Sequence, residues 1–270
     1  MLEKIQDSAS WLLSHTQLRP TTVIVLGTGL GRLADEIEIV DEFPYHVIPN
    51  FPVSTVEGHK GKLIFGHLGG KEVMALDGRF HYYEGYDMKT VTFPIRVMRE
   101  LGIKNYVVSN AAGGTNPEFR IGDIMLIVDH INFMPEHPLR GKNIDYGPRF
   151  PDMSQAYDRE YLDMAREIAA KDNIRLVEGI YLATSGPTFE TPAEYRMFHR
   201  LGADAVGMST VPEVIVARHC GMRVFGMSVI TDLGVDGKIV QVSHEEVQRA
   251  ADAVQPIMAN LVRKMIERIA

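Results

Sequence analysis

The sequence predicts an α/β fold in which helices flank a largely parallel or mixed β-sheet, with residues 1–270 forming one domain. Three observations lead there. Short apolar, β-branched runs of strand length alternate with segments whose apolar residues recur at helical spacing. Several of those runs end directly in glycine. No low-complexity linker and no repeat of solenoid length interrupts the alternation.

Residues 3–15 place Ile5, Ala9, Leu12 and Leu13 at helical steps, an amphipathic helix. Thr22–Leu26 is a β-branched strand running into Gly27. Residues 62–65 and 72–76 flank Gly69-Gly70 and read as a hairpin. Residues 106–109 form a strand ending on a glycine-rich turn, and residues 124–129 a short, nearly continuous apolar strand. Residues 133–150, with three prolines and two glycines spread along them, read as a long irregular loop of the kind that carries function. Residues 157–171 carry Tyr161, Met164, Ala165, Ile168 and Ala169 at helical spacing. Residues 179–184, 205–208 and 223–230 read as buried strands, and 191–201 and 212–219 as helices with Pro192 and Pro212 near their starts. The last helix opens on Ser243 with Glu246 three residues on, a capping-box pattern. Val247, Ala251, Val254, Met258, Leu261, Met265 and Ile269 then line its apolar face, and Pro256 is expected to kink or divide it.

Composition narrows the function classes. An apolar fraction of 45% and a charged fraction of 23% are ordinary for a soluble globular chain. The net charge of −7, from 28 basic and 35 acidic residues, argues against a bulk-basic nucleic-acid binder while leaving room for a local basic pocket. The single cysteine, Cys220, forbids an intrachain disulfide, suits a reducing cytosol and lies in an apolar stretch where a buried thiol is expected. The start Met1-Leu2-Glu3-Lys4-Ile5-Gln6 does not read as a signal peptide. No run approaches the roughly 20 apolar residues that span a bilayer. The expectation is a cytoplasmic protein with neither nucleic acid nor membrane as partner.

Four segments carry chemistry. Gly27-Thr28-Gly29-Leu30-Gly31 follows a strand and could cradle an anion on backbone N–H groups with the Thr28 hydroxyl beside them. It is not a dinucleotide fingerprint, because Arg32 stands where the third glycine would be. In Arg79-Phe80-His81-Tyr82-Tyr83-Glu84-Gly85-Tyr86, an extended chain would point Arg79, His81 and Tyr83 one way. Guanidinium beside imidazole makes an oxyanion clamp, and Glu84 could fix the tautomer of His81. Ser109-Asn110-Ala111-Ala112-Gly113-Gly114 ends a strand in small residues that let a flat ligand approach. His59 sits in a Gly-flanked loop, Glu57-Gly58-His59-Lys60-Gly61. There is no Gly-x-Ser-x-Gly elbow, no His-Glu-x-x-His and no Ca²⁺-loop spacing, so no metal and no cofactor are expected.

Together these blocks resemble the trimeric, low-molecular-mass purine nucleoside phosphorylases over nearly the whole chain. The matching blocks also include Ser54-Thr55-Val56-Glu57-Gly58-His59, Gly186-Pro187-Thr188-Phe189-Glu190-Thr191 and Gly207-Met208-Ser209-Thr210-Val211-Pro212-Glu213-Val214. The resemblance implies a mixed, partly barrel-like sheet, a homotrimer, and an enzyme of purine salvage that splits purine nucleosides with inorganic phosphate as co-substrate. By matching positions it implies that Thr28, His59, Arg79, His81, Ala111 and Ser209 hold phosphate. It puts Tyr83, Met208 and His244 against the ribose, with Phe150 lent to a neighbouring subunit's ribose site. It surrounds the base with Ala112, Gly113, Phe189, Glu190, Val206, Gly207 and Asp232, and it makes His81, Glu190, Asp232 and Arg79 the residues of the reaction.

Two positions depart from the family's usual pattern. Thr28 replaces Ser and keeps the hydroxyl, whereas Asp232 replaces the Asn of 6-oxopurine-selective members. Asp232 therefore implies some adenosine activity. The related methylthioadenosine phosphorylases carry Thr and Asp there, but Glu190 and His244 argue against that alternative. A non-catalytic Rossmann-like nucleotide-binding module is a third reading, disfavoured by Arg32.

Overall fold

The computed structural model describes residues 1–28, 30–55 and 60–269. Helix α1 (Leu2–His15) leads to strand β1 (Thr22–Leu26). Strands β2 (Glu38–Pro44), β3 (Lys62–Leu68) and β4 (Lys71–Asp77) pair antiparallel in sequence order. Then come α2 (Met88–Val91), α3 (Phe93–Glu100), β5 (Asn105–Gly114), β6 (Ile124–Asn132) and α4 (Arg159–Asp172). The chain continues through β7 (Leu176–Ala183), α5 (Pro192–Arg200), β8 (Ala205–Gly207), α6 (Val211–His219) and β9 (Arg223–Leu233), and ends in α7 (His244–Arg268).

The strands lie in the order β2-β3-β4-β1-β5-β8-β7-β6-β9, and β9 turns back to pair with β5. That last pairing closes β5, β8, β7, β6 and β9 into a barrel, which protects their edges from other chains. The sheet is mixed: β1 runs parallel to β4 and β5, β5 antiparallel to β8, and β6 parallel to β7 but antiparallel to β9. All five residues of β1 are buried at the centre, which is why it reads as a continuous β-branched run. At its end, a Cβ on Gly27 would lie 2.3 Å from the Ser109 carbonyl oxygen, so only glycine lets the chain leave the strand this close to β5.

Every strand and helix anticipated from the sequence is present, several of them longer than expected. Residues 133–150 are irregular, and Cys220 is buried, with burial pushing its thiol up to about 11.

Four points differ. β2 is an acidic edge strand exposing Ile39 and Val40, so no buried alternation marks it. α3 buries Phe93 through Met98, including Arg96, so its apolar run hides the helical period. Residues 79–86 are not extended throughout: Tyr82–Glu84 form a 3₁₀ turn because Glu84 reaches back to cap the backbone of His81. Finally, α7 runs through Pro256 undivided, with the proline on its exposed side.

Candidate active site

A pocket opens beside the barrel where the ends of β5, β8 and β9 meet the segment 79–83 and the start of α7. Of the residues expected to hold an anion, Thr28, Arg79, His81, Ala111 and Ser209 line it; His59 lies outside the described residues. Arg79 is 2% exposed. Its Nη1 donates to the Ser109 carbonyl at 2.9 Å and to Ser209 Oγ at 3.0 Å. Its Nη2 donates to both oxygens of Glu213, at 3.1 and 3.2 Å. Burial is the largest influence and opposes the charge on Arg79, but the Glu213 carboxylate together with Tyr106 and Tyr181 outweighs it and the guanidinium stays ionised.

Glu213 also accepts from the Thr210 amide at 2.7 Å. Thr210 caps α6 with φ at 71°, a left-handed conformation that costs a β-branched residue energy. Asn110 Nδ2 donates to the Thr210 hydroxyl at 2.9 Å, and the Ser209 hydroxyl lies 3.1 Å from it. The strain therefore sits where Ser209 is presented to the pocket.

His81 is buried, and burial outweighs its hydrogen bond to Glu84, so its pKa falls below the ordinary value. Its Nδ1 lies 3.0 Å from Glu84 Oε1. With the ring neutral and Nδ1 as the donor, Nε2 is an acceptor. Burial would raise the Glu84 pKa, but bonds from His81 and from the Thr55 hydroxyl and amide hold it down at about 2. The Tyr83 ring stacks on His81 at 4.6 Å between centroids and 14° between planes. The 3₁₀ turn, rather than strand alternation, brings the two rings together.

Seven residues expected around a base line the same pocket: Ala112, Gly113, Phe189, Glu190, Val206, Gly207 and Asp232. β5 and β9 pair Ala112 with Ile230 and then Gly113 with Asp232. The skipped residue, Thr231, is a bulge, and both Thr231 and Asp232 reach the pocket. Asp232 accepts from Tyr195 at 2.9 Å and from Thr231 at 3.0 Å. Burial raises the pKa of Asp232 against those bonds. Burial also raises that of Glu190, and the charge of Asp232 adds to it.

Tyr83, Met208 and His244 complete the lining. Phe150 does not: it is 85% exposed, with the Arg149 guanidinium 5.1 Å above its ring. Sequence reasoning missed Tyr195, Asn110, Thr231 and Val247 in the pocket and the Glu213 counter-charge. The pattern Thr210-Val211-Pro212-Glu213, a capping box, was the available signal for Glu213. Among the described residues no group of His, Cys, Asp and Glu side chains could hold a metal ion, and no helix is long and apolar enough to cross a membrane.

Residues 21–267 match the family described as the phosphorylase superfamily. "Purine nucleoside phosphorylase 1" of Bacillus subtilis (strain 168) is 50% identical over 267 residues, covering 98% of each chain. A Schistosoma purine nucleoside phosphorylase solved in complex with hypoxanthine superposes with a TM-score of 0.93 at 40% identity, over 99% of this chain and 98% of that one. The Schistosoma mansoni purine nucleoside phosphorylase solved in complex with adenosine gives 0.94 at 41% identity, over 99% and 98%.

Proposed function

The chain belongs to the phosphorylase superfamily, and from that premise we infer that it works as a purine nucleoside phosphorylase. It transfers a pentosyl group reversibly: a purine (deoxy)ribonucleoside plus phosphate gives free purine plus (deoxy)ribose 1-phosphate. The observation that carries this reading is the juxtaposition, in one pocket, of the Arg79–Ser209–His81 group with the Glu190–Asp232 pair across Tyr83, Met208 and His244.

Thr28, His59, Arg79, His81, Ala111 and Ser209 are proposed to hold phosphate. Because Glu213 already neutralises Arg79, the phosphate meets a guanidinium whose two nitrogens are positioned in advance. A neutral His81 accepts at Nε2 from a protonated phosphate oxygen. A phosphate oxygen then bonds to C1′ while the C1′–N9 bond breaks and its electron pair moves into the purine. The sugar passes through an oxocarbenium-like state. The departing base takes up, at N7 or N9, the one proton that the phosphate hydroxyl gives up, with Asp232 proposed near its imidazole edge to assist, while Glu190 binds the opposite edge. Ala112, Gly113, Phe189, Val206 and Gly207 enclose the ring. No protein nucleophile is needed, because phosphate is the nucleophile.

We further read residues 1–270 as one cytoplasmic domain that assembles as a homotrimer, in which the exposed Phe150 covers a neighbour's ribose. No cofactor is called for. The test is purine release from inosine and guanosine with and without phosphate. Release that needs phosphate and yields ribose 1-phosphate supports the reading; release by water alone, or none, overturns it.

A further inference from the structure

Helix α3 buries Arg96, which is 3% exposed. Its Nε and Nη1 atoms lie in the interior without a hydrogen-bond partner. A buried charge left uncompensated is costly, so a protein that keeps one gives it a counter-charge. Arg79 has the ordinary solution, the Glu213 carboxylate against its fork. Arg96 has no such carboxylate among the described residues. The ionisable groups that favour its charge are the Cys220 thiol and the Tyr146 phenol, and burial keeps both protonated. Burial lowers the pKa of Arg96, but a guanidinium stays charged at neutral pH. Glu100, one turn further along α3, is engaged by the Tyr146 hydroxyl at 2.7 Å.

Arg96 lines a pocket of about 480 Å³ where α2 and α3 face the irregular loop 133–150. None of its lining residues lines the catalytic pocket. Three exposed cations join Arg96 there: Lys89 from α2, and Arg140 and Lys142 from the loop. The Lys89 ammonium reaches the loop between those two, since a Cβ on Gly141 would sit 3.5 Å from its Nζ. The loop is held to α6 by His219, whose Nε2 lies 3.0 Å from Asn143 Oδ1. Asp145 is the one carboxylate in the lining, against four cations. In a chain of net charge −7, that is a local reversal of sign. Leu139 and Ile144 add apolar wall beside the cations.

We propose that this pocket is a second anion site: it takes the phosphate group of a phosphate monoester on Arg96, Lys89, Arg140 and Lys142, and lays the organic part against Leu139 and Ile144. A guanidinium fork matches phosphate oxygens, and ammonium groups add charge without demanding one geometry. The volume falls in the range of small-molecule sites. One water takes about 30 Å³ of liquid, so there is room for an organic group beside the phosphate. The apolar wall has no use against inorganic phosphate alone. The site stands apart from the phosphorolysis reading, because the two pockets share no residue.

The experiment is equilibrium dialysis of radiolabelled inosine 5′-monophosphate, and in a second arm of radiolabelled inorganic phosphate, against the wild type and Arg96→Met. The wild type is expected to bind the nucleotide at one site per chain that Arg96→Met weakens by about tenfold or more. Arg140→Met with Lys142→Met, both on the exposed loop, should weaken the same site if Arg96→Met does not fold. Inosine phosphorolysis by the variants should stay within about twofold of the wild type, since the pockets are separate. Equal nucleotide binding by wild type and variants overturns the proposal. So does a lower Tm of Arg96→Met with unchanged binding, which would give Arg96 a carboxylate of a neighbouring subunit instead. Inorganic phosphate held at this site as tightly as the nucleotide overturns the monoester assignment. Phosphorolysis lost in parallel with nucleotide binding would put the nucleotide in the catalytic pocket and overturn the second site. A wild type without phosphorolytic activity overturns the catalytic reading and leaves this one to the dialysis.

Discussion

Glu213→Gln removes the charge opposite Arg79 while keeping the side chain's size. Arg79 and Glu213 are 2% and 5% exposed, so water cannot replace what is lost. The carboxylate serves the Arg79 fork at 3.1 and 3.2 Å and the Thr210 amide at 2.7 Å. An amide side chain has one acceptor oxygen, which at the Oε2 position can still accept from Thr210 and Arg79, but its NH2 group then replaces the Oε1 acceptor and faces the guanidinium. Breaking a buried ion pair from one side costs about 3–5 kcal/mol. The retained acceptor places Gln near the low end, about 3 kcal/mol, which in a chain of this size lowers Tm by roughly 5 °C. Arg79 then presents more net positive charge to the pocket. Phosphate should therefore raise the Tm of the variant by more than it raises that of the wild type. Thermal melts in phosphate-free and phosphate-saturated buffer measure both quantities. A fall of less than about 2 °C, or equal phosphate increments in the two proteins, would refute the idea that Glu213 both neutralises Arg79 and holds Thr210 in its strained conformation.

Phe150→Ala should raise the inosine KM about tenfold with little change in Tm, since the ring is already exposed within its own chain. Mixed oligomers with a subunit inactivated at its own pocket should recover activity, and failure to do so with mixing verified would make Phe150 an intrasubunit residue. His244→Leu should lower the inosine-to-methylthioadenosine ratio of kcat/KM by about tenfold or more, because an unpaired hydroxyl partner discriminates strongly. An unchanged ratio would remove His244 from the sugar site. Glu84, held at about 2 in the fold against an ordinary 4.5, contributes stability that is present above about pH 4.5 and drains away as pH falls toward 2. Glu84→Gln should therefore melt lower than the wild type at neutral pH and lose less on going from pH 5 to pH 3. Parallel Tm–pH curves would show that the His81–Glu84–Thr55 bonds do not set that pKa.

The buried strands were legible because each is a continuous apolar run of the right length, as in β1, where all five residues are buried. β2 and α3 were not legible, for opposite reasons. β2 is exposed enough that its acids mask the strand, and α3 is buried so completely that no polar face reveals its period. In the pocket, the residues found from sequence are those displayed by short motifs, such as Thr28 after β1 and Arg79 with His81. Glu213 and Tyr195 lie 134 and 37 residues from the groups they touch, and spacing along the chain carries no trace of such contacts.

Asp232 marks where that limit comes from. Its residue type raised the question of which base is bound, but its environment is made by the closure of the barrel. The β5–β9 pairing skips Thr231, so two consecutive side chains of one strand enter the pocket where regular alternation would allow one. The same region lays Gly234 against the Tyr195 ring, which brings a phenol from another element onto the carboxylate. Asp232 accepting from both Thr231 and Tyr195 is therefore a different chemical object from an isolated aspartate at that position. Under the proposed function, its preference for an amino or an oxo partner would follow from the bulge and from the helix opposite.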